Sequence, residues 1–190
     1  MWALVEDSKI SKVYNKPSQL TIGDIQYPSN IHNLWSEAEL KAIGVYIVVI
    51  DNTNYKDPKY YINTDQSFAF ASNKVTATYG TATARALNDS TDSETGIINR
   101  GLKYQHCEII DNQAYGLLQP NDWMVVRNAE SSKAIPSDWL DYRVAVRTAA
   151  TDMKTKINAV ANVDALAALY AYSGDPATRP LGEFPTEPTS

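Results

Sequence analysis

The hydrophobic period of the chain changes once, near Gly96, and that change restricts the folds open to it. Before Gly96, apolar residues alternate or fall in short runs bounded by turn formers. After it, they recur at spacings of three and four. Period two sends successive side chains to opposite faces of a strand, whereas spacings of three and four line one side of a helix. The sequence therefore predicts an α+β protein, with an N-terminal antiparallel β-rich half carrying one short helix and a C-terminal α-helical half ending in a helical hairpin. The predicted divisions are a β-rich domain over 1–87, a linker over 88–95, a helical domain over 96–176 and a Pro-rich tail over 177–190.

Turn chemistry supports the β assignment. Runs 2–6 and 9–14 flank Asp7-Ser8, runs within 19–27 flank Gly23-Asp24, and runs 68–71 and 74–79 flank Ser72-Asn73. Each pair reads as a hairpin, because Gly, Asn, Asp and Ser suit tight turns. Val45 to Ile50 is a β-branched core strand. Before it, Ser36-Glu37-Ala38-Glu39 has the form of a capping box and starts a short helix that Gly44 closes. Asp51-Asn52-Thr53-Asn54 resembles part of a calcium loop but lacks the central Gly and closing Glu, and reads as a turn.

In the second half Cys107, Ile110, Ala114 and Leu117 form a helical stripe that Pro120 ends. Residues 122–130 suit either a strand or a helix. Pro136-Ser137, with Ser137 as cap, starts the clearest helix, whose apolar line runs through Trp139, Tyr142, Val146, Ala149, Met153, Ile157 and Val160. Asn162 caps a second helix, closed by Gly174. Leu181 and Phe184 are apolar anchors within the Pro-rich end.

Several classes of chemistry find no support. Net charge is −5, so the chain lacks the basic surplus that nucleic acid or anionic lipid requires. No apolar run reaches membrane-spanning length, and the opening M-W-A-L-V-E-D lacks the basic and apolar regions of a secretion signal. The single cysteine, Cys107, fits a reducing compartment and reads as a core thiol. His32 and His106 are expected at the surface or its boundary, and the pattern predicts neither a zinc site nor a cofactor. No G-x-S-x-G, G-x-G-x-x-G or phosphate-loop pattern occurs. Asp122, Glu130, Asp138 and Asp141 cluster in sequence, but the helix dipole accounts for Asp138 and Asp141 without catalysis. The chain is thus expected not to be an enzyme. Its twelve tyrosines and four tryptophans suit both small β cores and interfaces.

The region from Leu117 to Arg147 carries the one pattern that points to a biological context. It presents Leu117-Leu118, Asp122-Trp123, Arg127, Glu130, Pro136, Trp139, Tyr142-Arg143, Val146 and Arg147. This order resembles the C-terminal module of tail-fibre assembly and tail assembly chaperone proteins of tailed bacteriophages, with layouts like those of marine and cyanobacterial phages. Trp35 to Tyr46 and the ending Phe184 to Pro188 are similar to other parts of those proteins. The resemblance implies a protein of the tail-fibre and baseplate region, without cofactor, that binds other phage tail or fibre proteins. It implies residence in the host cytoplasm during assembly, with retention in the virion tail as the alternative. Homo-oligomer formation stays open, and so do two other roles: a glycan-binding receptor module and a capsid decoration protein. The residues carried over as interface or motif positions are Asp122, Trp123, Arg127, Glu130, Trp139, Tyr142, Arg143 and Arg147. Trp123 and Trp139 are expected to clamp their elements together. Arg143 and Arg147, four apart on one helix, are expected either to pair internally with Glu130 or Asp138 or to meet a partner's carboxylate.

Overall fold

A computed structural model describes residues 1–189 of the 190. The chain forms two compact units, Met1–Thr83 and Ala84–Ser190. The first is β-rich and the second mainly helical, an α+β organisation.

The first unit contains β1 (Trp2–Glu6), β2 (Lys9–Tyr14), β3 (Leu20–Ile22), β4 (Ile25–Tyr27), α1 (Ile31–Leu34), α2 (Glu37–Ala42), β5 (Val45–Asp51), β6 (Tyr61–Ile62), β7 (Gln66–Ala71) and β8 (Lys74–Tyr79). β9 (Thr83–Ala84) spans its end. Three of the expected turns are set by local backbone geometry. Asp7, Ser8, Ser72 and Asn73 all have positive φ, as does Gly23, which suits the twist of two-residue hairpins. The main sheet has the order β2-β1-β5-β8-β7. It is not wholly antiparallel as expected, since β5 and β8 run parallel, with Val48 opposite Val75. After β5 the chain passes to the far edge, forms β7, and returns through the Ser72-Asn73 turn to place β8 beside β5. Because β7 begins at the end where β5 stops, the returning inner strand runs parallel to β5.

The sheet is curled, and its edge strands β2 and β7 approach each other. Alternation divides the side chains between two cores. Ala3, Tyr46, Val48, Val75 and Ala77 lie inside the curl with Ile10, Val13, Phe68 and Phe70 against them. Leu4 and Val45 face the other way and are covered by Tyr14, Leu20, Ile31 and Leu40. A register shift at Leu4/Val5 marks a bulge in β1, the type of irregularity that bends a strand. The Ser36 capping box forms as expected: Ser36 Oγ accepts from the Glu39 amide, and the Glu39 carboxylate accepts from the Ser36 amide.

The second unit contains β10 (Ser90–Thr91), β11 (Ile98–Asn99), α3 (Leu102–Leu118), α4 (Asp122–Ser131), α5 (Ser137–Ala159) and α6 (Val163–Ala168). The expected linker over 88–95 is instead the first arm and turn of the β10–β11 hairpin. Its polar residues serve local structure: Asp92 Oδ1 accepts from the Glu94 and Thr95 amides, and the Asp89 carboxylate accepts from the Gly101 amide and from Arg100. α3 and α5 are the main helix pair and run antiparallel, as Lys154–Asp111 near one end and Arg143–Leu118 near the other require. Their buried lines are Leu102, His106, Ile110 and Ala114 on α3, and Tyr142, Val146, Ala150, Met153 and Ile157 on α5. Ala150 takes the buried place expected for Ala149. Asn162 caps α6 through its side chain as expected, but the helix is only six residues long and ends well before Gly174. No helix among the described residues is long and apolar enough to cross a membrane.

Gly44 supplies a direct test of the sheet geometry. Its φ is +81°, and a Cβ there would sit 2.7 Å from the Val5 carbonyl oxygen beside the β1 bulge. Gly44→Ala is expected to destabilise the protein by about 1–3 kcal/mol, from the left-handed backbone and the backbone clash together. Urea unfolding should show a lower midpoint at unchanged slope.

Candidate functional site

The residues of the Leu117–Arg147 pattern fall on the end of α3, a single 3-10 turn (Gln119–Asn121), α4, a loop and the first half of α5. Pro120 does stop α3, but the chain re-enters a helix at once. The ambiguous segment 122–130 is helical and not a strand. Its single buried residue is Met124, and so little side-chain burial leaves its period hard to read. α4 ends at Ser132, in the left-handed conformation, and Pro136 precedes α5. Ser137 is the first helical residue and not the cap; the Asp138 carboxylate accepts from the Trp139 amide.

Arg143 organises this corner. It is 4% exposed, although its side chain is long and charged. Its Nη2 donates to Asp122 Oδ1 at 2.6 Å, and its Nη1 donates to the Leu118 carbonyl at 3.0 Å. One guanidinium thus satisfies an orphan carbonyl at the end of α3 and an acidic side chain in the first turn of α4. The internal pairing expected of Arg143 is present, but the partner is Asp122 and neither Glu130 nor Asp138. Arg147 is exposed and donates to the Arg143 carbonyl, at 3.3 Å.

The two tryptophans make no ring contact with each other among the described residues. Trp139 is half-buried and meets the Tyr142 ring edge-on, with 5.8 Å between ring centres. Trp123 is 53% exposed and lies under the Arg127 guanidinium, 4.7 Å from the ring centre. Arg127 Nε is buried and makes no hydrogen bond. Val125 and Val126 are exposed as well, as is Glu130. Trp123, Val126, Arg127 and Glu130 follow the spacing of one helix face. Asp122 and Met124 hold α4 in place, while Trp123, Val126 and Glu130 on this face are exposed and Arg127 lies partly buried over the Trp123 ring.

Both histidines are buried, contrary to the expectation that they lie at the surface or its boundary. His32 Nδ1 lies 3.1 Å from the Ser29 carbonyl, and the ring packs against the edge of Trp2. His106 is 2% exposed, with Nδ1 2.7 Å from the Tyr170 hydroxyl. That contact joins residues 64 apart in sequence, which no local pattern signals. Cys107 is partly buried, and burial pushes its thiol above the ordinary value. No group of three or more His, Cys, Asp or Glu side chains among the described residues is placed to hold a metal ion.

The Pro-rich end packs against the helices. Leu181 is fully buried and its amide donates to the Leu169 carbonyl. Lys156 Nζ donates to the Pro180 and Leu181 carbonyls. Phe184 is half-buried. No family model matches the chain, and no curated protein or solved structure matches it.

Two expected outcomes follow from this corner. Arg143→Ala should cost about 2–4 kcal/mol, because it leaves the Leu118 carbonyl unpaired and opens a cavity. Asp122→Ala should cost about 1–2 kcal/mol, since that half-exposed carboxylate is already partly screened by water. Denaturant midpoints would establish the order.

Tyr142 behaves differently. Its hydroxyl is buried without a partner. Burial, and next the Glu187 charge, raise its pKa above the ordinary 10.0. The folded state therefore favours neutral Tyr142; that stability is fully present below pH 10 and is lost as pH rises through the folded-state pKa. Tyr142→Phe is expected to melt at the same temperature as the parent or higher at pH 7, and to widen its advantage above pH 10. A lower melting temperature at both pH values would contradict this.

Proposed function

We propose that this protein is a non-enzymatic component of the tail-fibre and baseplate region of a tailed bacteriophage. In this reading it acts in fibre or tail assembly, or remains in the particle as a small structural part, by binding another tail or fibre protein. The observation that carries the proposal is the outward face of α4. It presents Trp123, Val126, Arg127 and Glu130, three of them residues of the motif that carries the resemblance. An exposed tryptophan stacked with an arginine is the kind of anchor that dominates binding energy at protein interfaces. The other motif residues take an internal role: Asp122 and Arg143 fix the angle at which α4 leaves α3. The motif then divides into a part that builds the corner and a part that meets a partner.

The division has a direct test. Trp123→Ala with Arg127→Ala is expected to leave the chain folded at a cost of about 1 kcal/mol, the worth of the lost cation–π contact. Particles assembled with the double variant should lack fibres or complete tails in electron micrographs. Normal particles formed with a correctly folded double variant would sink the proposal. Mass spectrometry of parental particles separates the two forms of the role: absence from mature virions marks a transient chaperone, and tail stoichiometry marks a structural part.

A further inference from the structure

A groove of about 460 Å³ runs along α5 beside the C-terminal segment. Val144, Ala145, Thr148 and Ala149 make its floor, and Asp141 and Asp152 lie at its two ends. Glu183 and Pro185 of the C-terminal segment form the opposite wall. Val144 is 55% exposed there, and apart from Thr148 the floor is apolar.

Three carboxylates line this groove, and two of them, Asp141 and Asp152, form no salt bridge among the described residues. Glu183 is paired with Arg179 at 2.8 Å and accepts from the Tyr172 hydroxyl. Asp152 has Lys156 one turn along the helix, the usual ion-pair position. The Lys156 ammonium, however, is committed to the Pro180 and Leu181 carbonyls. Asp141 has Asp138, Val144, Ala145 and Ser137 at the corresponding positions, none of them basic. Asp152 also lies four turns into α5, beyond the reach of the helix dipole. Two carboxylates without a salt-bridge partner among the described residues thus stand three turns apart, about 16 Å along the axis, with a small-residue floor between them.

We propose that this groove seats a cationic segment of a protein partner: an extended stretch with two Lys or Arg side chains about 16 Å apart and small apolar residues between them. The ammonium or guanidinium groups meet Asp141 and Asp152, and the short side chains cover Val144 and Ala149. The contact is separate from the α4 face and stands if α4 meets nothing.

The test is an NMR titration of the full chain with the end-capped hexapeptide Lys-Ala-Val-Ala-Ala-Lys, whose lysines lie about 16 Å apart when extended. Saturable shifts confined to the α5 and C-terminal amides lining the groove are expected, weakening as salt is added. The Asp141→Asn, Asp152→Asn double variant should bind about tenfold more weakly with an unchanged melting temperature. Absence of saturable shifts, equal affinity in that variant, or equal affinity for spermine or for a hexapeptide with adjacent lysines would overturn the proposal. Trp123→Ala should leave peptide affinity unchanged. A failure of the groove thus appears in this titration, and a failure of the α4 reading in particle assembly.

Discussion

A single buried guanidinium sets the geometry of the helical unit where α3 gives way to α4. Arg143 reaches from α5 to the last carbonyl of α3 and to the first residue of α4, and water is largely excluded from its side chain. A charge in that position is tolerable only when its donors are met. The backbone carbonyl and the carboxylate must therefore stay where they are, which fixes the turn through Pro120 and the direction of α4. Met124 adds the one apolar anchor. The exposed Trp123 and Arg127 owe their presentation to this arrangement, since a helix of this length has little stability by itself.

The β unit meets a different constraint. A five-stranded sheet must bury apolar side chains on both faces when the alternating positions of its central strand are all apolar, and β5 reads Val-Tyr-Ile-Val-Val-Ile. Curling encloses one face, and a hairpin and two short helices cover part of the other. The cover ends before Ile47 and Val49, which remain exposed. Gly44 and the bulge at Leu4/Val5 occupy the place where α2 delivers the chain into β5, so the bend and the entry to the central strand share one contact.

What could be read from the sequence was what depends on near neighbours. The turns at Asp7-Ser8, Gly23 and Ser72-Asn73, the Ser36 capping box and the Asn162 cap each depend on residues within four positions. The long apolar line of α5 was legible because burial there repeats from Tyr142 to Ile157, over about four turns. The parallel β5–β8 pairing was hidden because hairpin signals specify only sequence-adjacent partners. The polar run 88–95 has the composition of a linker, yet the same residues suit the Asp92 turn, and composition cannot tell the two apart. For the motif, sequence named the residues but not their division of labour. The sequence offered Glu130 or Asp138 as the internal partner of Arg143, and only the fold of α4 against α3 selects Asp122. Trp123 and Trp139 look equivalent in the sequence, but α4 turns one outward while α5 partly buries the other.

The C-terminal stretch illustrates how far composition and role can part. Proline and small polar residues usually mark a dispensable tether, the kind of segment that truncation is expected to spare. Leu181 instead sits among the most enclosed side chains of the molecule, and its amide is tied to Leu169. Shortening the gene before that codon would remove a piece of the interior and release Lys156 from its two carbonyl acceptors. The boundary of the folding unit lies beyond Leu181, inside a stretch that composition alone would assign to solvent.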